Sequence, residues 1–274
     1  MDINTVTSFR AARSRDALTL APSEDFIAGG TWVMSEPQPE TTGFVDLTTM
    51  AWTDIEILPD GLRISATCTI ARLLAWATDS TTAPAEWTAL ALVPDAADAL
   101  LASFKIWNTA TVGGNVCRSF AAGAMVSFAA ALDGVAWIWQ PDGGERREPV
   151  AGIITGNGEN NLARGEVLRA VELPAYALRS TALLRKIALA ELGRSGCVVT
   201  GRVDEDDSAT FVVTAATLTP HVMRFEALPT REALTDAVAS APDFYTDPLG
   251  SADWRRGVSI EFAQNIRGDL EATR

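Results

Sequence analysis

Apolar and polar positions alternate along this chain with a period that changes from two to three or four and back, and the changes mark its elements. A short apolar run, Asp25-Phe26-Ile27, leads directly into Ala28-Gly29-Gly30-Thr31. A second strand, Gly43 to Asp46, follows the turn-rich Pro37-Gln38-Pro39, and together these predict a small α/β unit ending near Thr49. Glu56-Ile57-Leu58 and Leu62-Arg63-Ile64 flank Pro59-Asp60-Gly61. That is a hairpin signal, because proline presets the turn and glycine accepts a positive φ. A new unit therefore begins near Ala51. Thr69 is placed to cap a helix through Leu74 and Trp76, and Pro94 to open another with Ala97, Leu100, Leu101 and Phe104 on one face.

The next segment, Thr109-Ala110-Thr111-Val112-Gly113-Gly114-Asn115-Val116, reads as β-rich and interrupted by paired glycines. A helix of small residues from Ala121 to Leu132 follows, then a strand from Val135 to Trp139 closed by Pro141-Asp142-Gly143-Gly144. Strand patterns return over Glu166 to Leu173 and Leu183 to Leu189. Cys197 to Val203 and Thr210 to Ala216 form a hairpin across the acidic turn Asp204 to Ser208. Two helices end the chain, Arg231 to Ala239 and Ala252 to about Ile266. The pattern predicts a mixed α+β protein in three parts, residues 1–50, 51–176 and 177–274, with no internal repeat.

Charge narrows the choice of partners. The chain has 22 Lys and Arg against 35 Asp and Glu, a net charge of −13, so its surface repels nucleic acid and anionic lipid. An anionic ligand must then be held by local dipoles. The most apolar run, Ala121 to Leu132, already contains Ser127 and falls well short of the roughly 20 residues that span a bilayer. Met1 to Leu20 carries Arg10, Arg13, Arg15 and Asp16 where a secretory signal needs an unbroken apolar segment, so neither membrane insertion nor export is expected. Cys68, Cys117 and Cys197 are odd in number and far apart, which fits a reducing cytoplasm and gives no disulfide framework, zinc site or iron-sulfur motif. His221 is the only histidine, which excludes a histidine-rich metal site, and in Thr219-Pro220-His221-Val222 it reads as an ordinary surface or half-buried residue at a strand end or loop, which argues against Ser-His-Asp catalysis. Any chemistry here falls to a cofactor.

Neither glycine pair fits GxGxxG or a P-loop. Each stands after a β-rich run and before a small polar residue, so that successive backbone N–H groups could converge on a phosphate. Alone, such a pair is more often a tight turn or bulge. Taken in order and spacing, Ile27-Ala28-Gly29-Gly30-Thr31 and Ile106-Trp107-Asn108-Thr109-Ala110-Thr111-Val112-Gly113-Gly114-Asn115 resemble the FAD-binding medium subunit of the molybdenum hydroxylases, the family of xanthine dehydrogenase and carbon monoxide dehydrogenase flavoprotein subunits. The resemblance continues through Phe44-Val45-Asp46-Leu47, Gly165-Glu166-Val167-Leu168 with Val171, Leu173 and Pro174, Arg185-Lys186, and Asp253-Trp254-Arg255-Arg256.

The resemblance implies a three-part fold with noncovalent FAD between the N-terminal and middle subdomains. Its pyrophosphate would lie on Ile27, Ala28, Gly29, Gly30, Thr31, Trp32, Val33 and Met34 and on Ala110, Thr111, Val112, Gly113, Gly114 and Asn115, with the Thr31 and Thr111 hydroxyls and the Asn115 amide in reach. Leu168 would touch the flavin ring and Lys186 would lie near it, while Leu101 holds a position that often meets the cofactor. Leu168 and Leu101 would be equally at home in a core. Trp107 stands where the family usually has Arg, Ala124 replaces the acidic residue that hydrogen-bonds the cofactor, and Ser127 replaces a Pro. Trp32 and Trp107 could stack on a flavin or adenine ring or simply pack.

By the same resemblance the chain is an oxidoreductase subunit whose FAD takes electrons from iron-sulfur clusters and passes them to NAD, a quinone or oxygen. Molybdopterin would sit on a large partner subunit and 2Fe-2S clusters on a small one, the three doubled into a dimer of heterotrimers. Two other readings stay open: a self-sufficient flavoprotein oxidase, disfavoured by the single histidine, and a flavin-free or weakly binding structural subunit, suggested by Ala124 and Trp107.

Overall fold

The computed structural model describes residues 3–79, 81–99, 104–190 and 193–273. At the N-terminal end, β1 (Ser8–Ala11), β2 (Glu24–Ile27) and β3 (Gly43–Asp46) form a parallel sheet in the order β1-β3-β2. Its connections contain no α-helix, only the 3-10 turn Arg15–Leu18 and the loop 28–42, so the expected α/β unit is a sheet with irregular crossovers. Arg10 spans the sheet to pair with Glu24 at 2.9 Å, and Ala12, Leu18, Val45 and Leu47 pack with Val167 beneath it.

The hairpin expected at Pro59 is present as β4 (Ile55–Leu58) and β5 (Gly61–Ser65). The chain then crosses one face of this sheet through helices. Thr69 caps α1 (Ile70–Thr78), its Oγ1 accepting from Arg72 N at 3.1 Å, and Ile70, Leu73 and Trp76 are buried at the three-and-four spacing. Pro94 lies inside α2 (Leu92–Asp98) and does not open it, because the turn Thr88–Ala91 starts the winding earlier. Leu100 and Leu101 lie outside the described residues. After α3 (Phe104–Trp107) come α4 (Val112–Arg118) and α5 (Ala124–Ala131). All eight residues of α5 are buried, which explains why its small side chains show no polar stripe.

The sheet is completed by β6 (Val135–Trp139) and β7 (Glu145–Pro149). The turn α6 (Val150–Ile153) and the ribbon β8 (Ile154–Gly156) with β9 (Glu159–Asn160) lead to β10 (Val167–Pro174) and the turn α7 (Ala175–Leu178). The strand order is β4-β5-β10-β6-β7, antiparallel throughout. Along β6, Ala136 and Ile138 point into the core with Leu62, Ile64, Val112 and Phe128, while Trp137 and Trp139 take the other face. There they stack with arginines: Arg63 stands 4.6 Å and Arg147 5.0 Å from the Trp137 ring, and Arg169 stands 4.4 Å from Trp52.

A meander follows, with β11 (Thr181–Ala188), β12 (Ser195–Val203), β13 (Ala209–Thr214) and β14 (His221–Phe225) in consecutive antiparallel order. It is covered by α8 (Arg231–Ala239) and α9 (Ala252–Ala272). The last helix runs six residues past Ile266 because Leu270 is buried, Asp269 pairs with Arg185 and Glu271 pairs with Arg267 at 2.9 Å. Arg255, fully buried, stacks 4.0 Å over Tyr245, pairs with Asp247 and donates to the carbonyls of Gly196 and Ala215. The meander is fastened to α5 by Ser127 Oγ and Thr214 Oγ1 at 2.6 Å, and by Arg202, which pairs with Asp133 and Asp204. No helix among the described residues is long and apolar enough to cross a membrane.

Candidate functional site

The structure brings the two glycine loops together. A Cβ built on Gly29 would fall 1.9 Å from the carbonyl oxygen of Thr109 and 3.3 Å from Cα of Ala110, so the first loop lies directly on the backbone that enters the second. Only glycine permits that approach. Gly30 has φ of +67°, and the chain then winds through a turn in which Met34 N donates to Gly30 O at 2.9 Å and Ser35 N to Trp32 O at 2.8 Å. The backbone amides of Gly29, Gly30, Thr31, Trp32 and Val33 have no hydrogen-bond partner among the described residues. Five consecutive donors left free by the protein form a ready site for an anion.

The second loop departs from its expected form. Residues 110 and 111 are extended, with Ile70 N donating to Ala110 O at 2.9 Å and Thr69 bridging Thr111, but the strand stops there. Thr111 is the N-cap of α4, its Oγ1 accepting from Gly114 N at 3.0 Å, and both glycines belong to the helix. The β-branched Thr-Val pair suggested a strand, and the capping hydroxyl overrides it. Nor do the amides converge on an open point. Val112 N donates to Cys68 O and Gly113 N to Ala66 O, each at 2.9 Å. A Cβ on Gly113 would meet that of Ala66 at 2.4 Å, so this glycine lets α4 press against the β5–α1 connection. Gly114 is exposed, and there a Cβ would meet only Thr111 Oγ1, at 2.8 Å. Asn115 Oδ1 accepts from Met125 N at 2.8 Å, which locks the start of α5 and turns the side-chain NH₂ outward as a donor.

The remaining predicted positions are placed as follows. Leu168 is 3% exposed, in the cluster that also holds Ala110, Val112 and Ala124. Ala124 is buried and contributes no polar group where an acid was expected. Lys186, on β11, pairs with Asp98 Oδ2 at 2.7 Å and also donates to that residue's carbonyl. Its charge is therefore matched by a residue 88 positions away at the end of α2. Trp107 packs against the main core, its Nε1 buried with no partner among the described residues. Leu101 lies outside those residues.

One residue beside the loops was not anticipated. Arg118, the last residue of α4, lays its guanidinium 4.9 Å from the Trp32 ring and 4.1 Å from Phe120, whose rings meet edge-on at 4.7 Å. Its Nη1 reaches Gly158 O at 3.4 Å, Nε is buried with no partner, and no described carboxylate forms an ion pair with it. Burial lowers its pKa, and Glu36 opposes that from farther away. The sequence held a signal for it: Gly114 and Asn115, one turn before Arg118, and Ala121 and Ala122, one turn after, offer no acid at helical spacing.

The profile of the family described as FAD binding domain in molybdopterin dehydrogenase matches residues 4–176, and the chain belongs to this family. Among solved structures the fold is that of a chain of quinoline 2-oxidoreductase from Pseudomonas putida 86, with a TM-score of 0.80 at 20% identity over 96% of each chain. A chain of carbon monoxide dehydrogenase from Hydrogenophaga pseudoflava gives 0.80 at 17% identity, covering 97% of this chain and 98% of that one. The reconstituted CO dehydrogenase from Oligotropha carboxidovorans gives 0.80 at 18% identity over 94% and 95%. No curated protein sequence matches the chain. The resemblance read from the two loops is thereby established at the level of family and fold.

Proposed function

We propose that this chain is the FAD-carrying subunit of a molybdenum hydroxylase, taking electrons from iron-sulfur clusters on a small partner and delivering them to an external acceptor. The observation that carries the reading is the contact of Gly29 with Thr109–Ala110, inside the family-matched region, which sets five unpartnered amides alongside α4. That donor row, with the outward NH₂ of Asn115 and the uncompensated Arg118, fits a dianionic pyrophosphate. The isoalloxazine of FAD, when bound, supplies the exchange between one-electron and two-electron transfer.

The chain's own residues bind and orient. Gly30 takes the positive φ that turns the loop, Thr111 and Asn115 hold α4 and α5 in register, and Trp32 offers an exposed aromatic face at the loop's edge. Lys186, already matched by Asp98, acts on the flavin ring through an ion pair and not as a bare cation. Residues 1–50 and 51–176 would enclose the cofactor, with 177–274 as the third part, and a molybdopterin subunit would complete the complex.

A flavin-free subunit is the alternative that Ala124 and the occupied amides of α4 favour. The visible spectrum of the purified chain decides: flavin bands released intact by acid support the proposal, and a colourless protein that FAD does not reconstitute overturns it. Copurification with two further subunits, against turnover of an organic substrate by the chain alone, separates the electron-transfer role from a self-sufficient oxidase.

A further inference from the structure

We infer that Arg118 supplies the counter-charge for the pyrophosphate of FAD, in place of the first turn of α4. The inference rests on the flavin-carrier reading above and adds to it a residue and a physical role.

The first turn of α4 cannot serve, because the amides of Val112, Gly113 and Gly114 already bond Cys68 O, Ala66 O and Thr111 Oγ1. The donors that remain lie on the first loop. That loop touches Thr109, just before α4, through Gly29, and touches Arg118, at the end of α4, through Trp32. The residues with free amides, 29–33, therefore include both the contact to Thr109 and the contact to Arg118. Neutral amides alone would leave two negative charges in a protein that already carries −13.

Arg118 is fitted for that charge by what it lacks. Among the described residues, every other lysine or arginine that is at least partly buried forms an ion pair with a carboxylate, except Arg169. Arg169 is enclosed by Trp52, Trp137 and Trp139 on the helix-free face of the five-stranded sheet. Arg118 has only the 3.4 Å contact to Gly158 O. Packing against Trp32 and Phe120 fixes the guanidinium and encloses Nε, which leaves the terminal Nη groups as the pair of donors that could meet a phosphate in a fork. A lysine could supply the charge there but not the fork.

The test is a calorimetric titration of the full chain with FAD, ADP and riboflavin at low and high salt, using wild type, Arg118→Leu and Arg118→Lys. Arg118→Leu should weaken FAD and ADP about 10- to 100-fold, leave riboflavin unchanged and flatten the salt dependence, and Arg118→Lys should recover much of the loss. FAD affinity in Arg118→Leu within twofold of wild type overturns the role of Arg118 while leaving the flavin reading intact. So does an equal loss of riboflavin, which marks a structural role. Should Arg118→Leu fail to fold, wild-type FAD affinity that does not fall with salt overturns the proposal. Wild type that binds ADP through Arg118 but no flavin keeps the pyrophosphate role and overturns the flavin reading; wild type that binds none of the three overturns both.

Discussion

Gly29→Ala is the sharpest perturbation of the contact between the two loops. The added methyl would sit 1.9 Å from Thr109 O and 2.8 Å from the carbonyl carbon, whereas ordinary contact begins at 3.4 Å. The obstructing atoms are backbone, so no side chain can rotate away, and the loop must retreat by about 1.5 Å. Overpacking of this kind costs about 1–3 kcal/mol, which for a chain of this size lowers the melting temperature by roughly 3–10 °C. The retreat also shifts the free amides of residues 29–33 relative to the backbone that enters α4. Losing even one hydrogen bond to a charged group removes about 1.5–3 kcal/mol, so FAD affinity should fall at least tenfold. Gly114→Ala is the control: its methyl meets only the Thr111 hydroxyl, and the roughly 1 kcal/mol lost with that cap is offset by the better helix propensity of alanine. Thermal melts of the flavin-free proteins and calorimetric FAD titrations give both quantities. A Gly29→Ala protein that melts and binds FAD like wild type would show that the loops do not meet as described.

Arg202→Met should destabilise the fold by about 3–5 kcal/mol at pH 7.5 in urea titrations, because it leaves Asp133 and Asp204 without their buried partner. Burial alone would raise the Asp133 carboxyl, but the charge and hydrogen bond of Arg202, the Tyr176 hydroxyl and Arg224 outweigh it and hold the pKa below its ordinary value. In wild type that carboxylate therefore stabilises the fold above its unfolded pKa of about 4, and the contribution is lost as pH falls through the lower folded value. Without Arg202, burial is opposed only by Tyr176 and Arg224, so the Asp133 carboxyl rises from its wild-type value and the deficit should shrink from pH 7.5 to pH 4.5; an equal deficit at both would refute the assignment. Burial pushes the thiols of Cys68, Cys117 and Cys197 up to about 12. Native protein at pH 8 should therefore react negligibly with a thiol reagent over minutes, and unfolded protein should titrate three groups. Fast labelling of the native state would contradict the burial.

Elements that bury one face were legible in the sequence, and those held by distant partners were not. The hairpin at Pro59, the capped helix at Thr69 and the strand Val135–Trp139 carry their own turn, cap or alternation. β7 does not, since its residues are Glu-Arg-Arg-Glu-Pro and its place is set by Arg147 on Trp137 and by Trp137 Nε1 donating to Glu145 at 2.8 Å. β1 is an edge strand of four residues with Phe9 exposed, and nothing local distinguishes it from a loop. Lys186 stands out in the sequence only through the resemblance, which places it near the flavin; its partner Asp98 is far away in sequence and close only in the fold.

The glycines carry the same lesson about the site. Their spacing identifies the family, and the first explanation for such pairs is that a ligand approaches the bare backbone. In the structure two of the four serve contacts within the protein: Gly29 admits Thr109, and Gly113 admits Ala66. Those contacts come first in the causal order, because they bring loop and helix together before any ligand can bridge them. A chain could then keep both pairs and still fold without holding a flavin. On the proposed reading affinity is decided by the donors left over once the protein has satisfied itself: the five amides of the first loop, the Asn115 side chain and Arg118. On that reading Ala124 and Arg118 act in opposite senses: the first offers no hydrogen-bonding side chain, and the second, at the far end of α4 from the occupied amides, offers a cation with no carboxylate partner.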